Sequence, residues 1–202
     1  MSQSPELAGG EGFTFEGDAA AFYFTALLAE AFAPGIDDRM VVRVSVQQRD
    51  FGEPLDDVIV DFGGAAKSPA RLSLQVKRSL TISKAKTNKD FRDIIRDSWT
   101  TLRKSDFRIN ADRYGAAVGT VTPTKERALK TLCDWARESL TADHFDARFA
   151  KDGSASVDIT AVKNDVVALL KEAKGTPPVT SLSDLELSSR PIQGEIGSVV
   201  PH

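Results

Sequence analysis

Cysteine occurs once in this 202-residue chain, histidine twice, and aromatic side chains make up only 7%. The lone Cys133 excludes an internal disulfide and fits a reducing compartment, so a cytoplasmic location is expected. It lies in the helical pattern "ALKTLCDWARESL", where a small buried hydrophobe is the ordinary reading. His144 and His202 have no Cys or carboxylate arrangement of zinc-site spacing, and His144 reads as a surface helix residue rather than part of a Ser–His–Asp set. No run approaches the ~20 apolar residues of a membrane span, so no membrane partner is expected. The opening "MSQSPELAGGEG" lacks the basic and apolar regions of a secretory signal and reads as a flexible leader over 1–11. A phosphate loop is missing as well, because "FGGAAKSP" has glycines without the GxxxxGK[ST] spacing. There is no internal repeat.

What is present is ordinary in amount and uneven in placement. Apolar residues at 41%, charged residues at 27% and a net charge of −3 describe a globular chain with no overall bias toward nucleic acid. Residues 1–62 hold twelve Asp/Glu against three Lys/Arg, whereas 71–104 hold ten Lys/Arg against three Asp. An acidic segment followed by a basic one separates charge so that cations and then phosphates can be held; a solvated helix face is the plainer reading.

Periodicity divides the chain into one helix, three strands, a helix, a strand and further helices. "FTFEGDAAAFYFTALLAEAFA" is an amphipathic helix starting between Phe13 and Asp18, with Pro34-Gly35 as its end. "MVVRVSVQQRD", Val58–Phe62 and 71–80 alternate as strands and form a meander. "NKDFRDIIRDSWTTLRK" repeats apolar residues at helical spacing, with Trp99 read as core, and "YGAAVGTVTP" is a small-residue strand. Helical patterns follow at about 124–140 (which contains Trp135, also read as core), 143–150 and 158–174, and the Pro/Ser/Gly-rich stretch 175–202 reads as a linker or tail. The expected class is α/β, a mixed sheet flanked by helices in one domain over 12–174.

Two of these strands carry polar residues on one face. In "PLDDVIVDF", Asp57, Ile59 and Asp61 share a side, and in "RLSLQVKRS", Ser73, Gln75 and Lys77 do. Hydrolysis of a phosphodiester with a divalent cation needs carboxylates for the metal, a further oxygen ligand and a positive group beside the reacting water. Asp57, with Gln75 and Lys77 at i, i+2 on the partner strand, supplies that set. A cross-strand Asp57–Lys77 ion pair, worth well under ~1 kcal/mol if exposed, explains the same residues without chemistry. From the pattern alone both readings stand.

The order helix–strand–strand–strand–helix–strand, with Asp on the second strand and QxK on the third, resembles the PD-(D/E)xK, or restriction-endonuclease-like, nuclease superfamily. The stretches "GFTFEGDAAAFYFTALLAEAF", "LDDVIV" and "LQVKRS" resemble one branch more closely: the double-stranded-DNA endonuclease domains at the N-terminus of bacterial anti-phage effectors, including those of cyclic-oligonucleotide signalling. The resemblance covers about residues 12–125.

It implies a restriction-endonuclease-like core with extra C-terminal helices, and Mg²⁺ as cofactor with Mn²⁺ as a substitute. Asp57, Gln75 and Glu16 would bind the metal, and Lys77 would be the catalytic lysine. Asp56 replaces Asp57 if the register slips by one. Glu30 is a weaker candidate than Glu16, about 21 Å away along a helix axis. Gln75 departs from the usual Glu or Asp, a change this branch tolerates, and Glu16 or Asp61 would compensate for the missing charge. Lys84, Lys86, Lys89, Arg92 and Arg96 would contact DNA phosphates with little sequence specificity. The expected partners are double-stranded DNA and either further copies of the chain or a separate sensor or ATPase. The rival expectation is a catalytically silent scaffold that binds DNA or assembles with such a partner. A nuclease directed at RNA is a third expectation, separated from the first by the resemblance alone.

Overall fold

The computed structural model describes residues 5–64 and 68–174, the side chains of 5–14 excepted. The tail expected at 175–202 and His202 lie outside the described residues. The class is α/β, with a four-stranded mixed sheet flanked by helices. The described chain divides into two compact units, 5–79 with 108–120 and 80–107 with 121–174. The division arises because the chain leaves the sheet after its third strand, enters helices, and returns for one more strand before the remaining helices.

The first unit begins with α1 (Pro5–Leu28), followed by β1 (Met40–Val46), β2 (Val58–Gly63), β3 (Ala70–Leu80) and, after the excursion, β4 (Arg113–Val121). Pro5–Glu11, expected as a leader, is helical; proline suits a first helical turn because its missing N–H has no partner there anyway. At the other end α1 stops at Leu28 rather than at Pro34-Gly35. Glu30 adopts φ 50°, its N–H donates to the Leu27 carbonyl at 3.2 Å, and the Ala31 N–H donates to the Ala26 carbonyl at 2.9 Å. That pair of bonds is a Schellman ending, with glutamate where glycine is usual. Pro34-Gly35 instead closes the return toward the sheet: the Pro34 carbonyl accepts from the Tyr23 hydroxyl at 3.3 Å. A Cβ on Gly35, at φ 106°, would lie 2.5 Å from Leu72 Cδ2.

The strands β1, β2 and β3 form the expected antiparallel meander, and β4 completes the order β1-β2-β3-β4. Val58 faces Leu74 and Val60 faces Leu72, so both strands turn Val58, Val60, Phe62, Leu72, Leu74 and Val76 to one side. Ala19, Ala20, Tyr23 and Ala26, at helical spacing on α1, join these residues in one buried cluster. Small alanines let the helix approach the sheet, and each large apolar side chain enclosed this way contributes about 1.5–3 kcal/mol. Asp112, just before β4, is buried and accepts from the Arg71 and Arg108 backbone N–H groups at 2.9 and 2.7 Å, tying the start of β3 to the entry of β4.

The second unit contains α2 (Lys89–Leu102), α3 (Pro123–Glu138), α4 (Ala142–Ala147) and α5 (Val157–Lys174), with α5 packed on both α2 and α3. Cys133 is buried on α3, and burial pushes its thiol up to about 12. Both tryptophans are half-buried and flanked by cations: Lys174 stands 4.5 Å from the Trp99 ring centre, and Arg148 stands 4.9 Å from that of Trp135. His144 is exposed, its backbone N–H donating to the Thr141 hydroxyl at the head of α4. No helix among the described residues is long and apolar enough to cross a membrane.

Candidate functional site

Asp57 is the last residue before β2, and extending the Val58–Leu74 register by one step places it opposite Gln75. The pairing is closed by hydrogen bonds. The Gln75 amide donates to Asp57 Oδ2, and the Val76 backbone N–H donates to the same oxygen at 2.7 Å. Gln75 is buried, 7% exposed, so its amide has little access to water and depends on such a partner. Among the described residues nothing donates to Asp57 Oδ1.

Asp56 does not take the Asp57 role, because its carboxylate is committed elsewhere. It is buried, accepts from Arg49 at 2.7 Å, and its backbone carbonyl accepts from the Gln48 N–H at 3.0 Å. Asp61 is likewise committed, four residues and about 13 Å along the strand from Asp57. It bridges Arg43 on β1 at 2.5 Å and Arg71 on β3 at 3.0 Å, and Arg71 continues to Glu53 at 3.1 Å. Asp61 thus neutralises arginines across the sheet rather than adding charge beside Gln75.

Glu16 belongs to the group. Burial raises its carboxyl above the ordinary 4.5; the neighbouring Asp57 charge raises it further, while Lys77 and a hydrogen bond from the Gln47 side chain pull it back. Asp57 is also raised above its ordinary 3.8, mainly by burial; the Val76 N–H and Lys77 oppose that shift, and the Asp56 charge adds to it. Two carboxylates and an ammonium thus act on one another at the end of β2 and β3 nearest Gln47. Sequence reasoning overlooked Gln47; its place one step beyond β1, level with Asp57, was the available signal. Glu30 is not brought in, since it lies just past the C-terminal end of α1, whereas Glu16 sits at the middle of that helix.

The Lys77 side chain forms no hydrogen bond and no ion pair within 4 Å with any described residue, although it is partly buried and acts electrostatically on both carboxylates. The direct Asp57–Lys77 bridge that would explain the pattern without chemistry is therefore not formed.

A divalent cation suits this donor set on chemical grounds. Two carboxylates held partly out of water favour a positive neighbour, and the Gln75 side-chain oxygen accepts no hydrogen bond among the described residues. No three His, Cys, Asp or Glu converge anywhere among the described residues. Mg²⁺ does not need three, as it commonly takes one or two carboxylates and keeps several waters.

The five basic residues divide. Within the second unit Lys84 pairs with Asp165 at 3.6 Å, Arg92 with Glu172 at 2.5 Å, and Arg96 with Asp93 and Asp97 at 2.7 and 2.9 Å. The Asp97 hydrogen bond chiefly raises the Arg96 pKa still further. Lys86 and Lys89 are exposed and have no such partner among the described residues. Comparison with family models, curated proteins and solved structures finds no match to this chain.

Proposed function

We propose that the chain is a metal-dependent endonuclease of double-stranded DNA, built on a restriction-endonuclease-like core and acting as the effector domain of an anti-phage system. The observation that supports it best is Lys77, left without a direct partner among the described residues beside two carboxylates that burial makes costly to ionise. A plain structural ion pair has no reason to stay open. In this reading Asp57, Glu16 and the Gln75 carbonyl hold Mg²⁺ or Mn²⁺. The cation supplies Lewis acidity toward a phosphoryl oxygen and a lowered pKa for water.

The chain's own groups do the rest. Gln75 and the Val76 N–H fix Asp57 by one oxygen, leaving Oδ1 as the free acceptor among the described residues. The Lys77 ammonium donates to the attacking water or to the phosphoryl oxygen where charge accumulates. Lys86 and Lys89 add phosphate contacts that carry no sequence information.

The test is plasmid cleavage with Mg²⁺ or Mn²⁺ by wild type and Lys77→Ala, with the protein dilute and then concentrated. Cutting that requires metal is expected, with Lys77→Ala slower by about 10²-fold or more and DNA binding retained. No cutting at either concentration, with unimpaired DNA binding by Lys77→Ala, would instead support the silent scaffold. The hydrogen bond by which Gln75 satisfies Asp57 without a cation is the observation that favours that second reading.

A further inference from the structure

Gln75 on β3 is 7% exposed, and an amide so enclosed needs a partner at each end. Its nitrogen end has one. Nε2 donates to Asp57 Oδ2, which also accepts from the Val76 N–H, and these are the only hydrogen bonds to the Asp57 carboxylate among the described residues. Chemistry forces that orientation: turned about, the amide would set Oε1 against a carboxylate oxygen, acceptor against acceptor. The oxygen end has no donor among the described residues, yet Oε1 is not one of the unpartnered atoms sealed from solvent. One amide thus spends its donor inside the sheet on Asp57 and keeps its acceptor where an ion can reach it.

We propose that Gln75 stands in for the cation at Asp57 and thereby sets how tightly the site binds one. The amide N–H answers the aspartate charge inside the fold, so the ion is an exchangeable ligand rather than a structural part. A glutamate here would face Asp57 with a second carboxylate and no donor, a pair that only a cation or a proton relieves. Glutamine removes that dependence, and it gives up the affinity that a further charged ligand brings. The inference rests on the cation site of the function proposed above.

Gln75→Glu is the direct test, because it keeps the length and the acceptor and removes the donor. The probe is Mn²⁺, read by calorimetric titration and by melting temperature with and without a chelator. With chelator at pH 7, Gln75→Glu is expected to melt roughly 5 °C or more below wild type, as loss of a buried hydrogen bond in a chain of this size does. Mn²⁺ is expected to restore that loss and to bind the variant about ten-fold more tightly than wild type. Adding Asp57→Asn to Gln75→Glu moves the amide to the other strand and re-forms the pair in reverse, so it is expected to restore the melting temperature without metal. Equal melting of Gln75→Glu and wild type in chelator, or Mn²⁺ binding by the variant no tighter than by wild type, overturns the role of Gln75 and leaves the cation site standing. A loss that neither Mn²⁺ nor Asp57→Asn repairs overturns it too, as plain damage to the fold. Absence of Mn²⁺ binding by wild type and Gln75→Glu alike overturns the cation site, and this inference with it.

Discussion

Asp57 is held in place at a cost to the fold. Its carboxyl is raised above 3.8 chiefly by burial, so the folded chain binds a proton there more readily than the unfolded chain does. Below 3.8 both states are protonated and no penalty exists. As pH rises from 3.8 through the folded value, the folded state loses stability, and above that value the loss is complete. Asp57→Asn keeps an oxygen for the Val76 N–H and removes the charge. It is therefore expected to raise the urea midpoint at pH 7, with the gain shrinking to nothing as pH falls toward 3.8. An equal gain at all pH values would mean that burial of the charge is not its origin. Glu16 is raised in the same direction and by the same leading cause, so ionisation of either carboxylate costs the folded state stability.

At the scale of elements, the end of α1 offers a clean measurement. Glu30 occupies the left-handed position of a Schellman ending, where glycine carries no steric penalty. Glu30→Gly is expected to stabilise the protein by about 0.5–1 kcal/mol, read from denaturant midpoints, against the usual loss on introducing glycine. The sequence concealed this ending. Pro34-Gly35 is the louder stop signal, but six residues earlier the hydrogen bonds of Glu30 and Ala31 to Leu27 and Ala26 had already closed the helix.

The strands were more legible, because alternation alone assigns faces once a register is chosen. Val58, Val60, Leu72 and Leu74 turn toward the cluster shared with α1, and that choice forces Asp57 opposite Gln75. The fates of Asp56 and Asp61 were not legible, since they depend on Arg49, Arg43 and Arg71 arriving from other segments. Nor does local pattern reveal the partners of Lys84 and Arg92, which are Asp165 and Glu172, some eighty residues further along the chain. Charge counting located a basic segment correctly but could not tell engaged cations from free ones.

At the scale of the whole molecule, the two units carry different reporters. Cys133 and both tryptophans belong to the second, and Tyr23 and Tyr114 to the first. With its thiol at about 12 instead of 9.0, Cys133 has about a thousand-fold less thiolate at pH 8 than an unperturbed thiol, beneath a covering that leaves it 4% exposed. It is expected to resist a thiol reagent in the native protein and to react at the rate at which the second unit opens. Rapid native labelling would show that α3 is not packed as described.

The return of β4 to the sheet has a consequence for synthesis. β3 acquires its second neighbour only when Arg113–Val121 leave the ribosome. At about 5–20 residues per second, β3 waits about 2–8 s after its own completion. During that interval Ala70–Leu80 presents an open hydrogen-bonding edge beside Leu72, Leu74 and Val76. The hazard is greatest for the nascent chain. Slowed elongation between the codons for residues 80 and 113 would lengthen the exposure and lower the soluble yield of a protein whose finished form is unchanged.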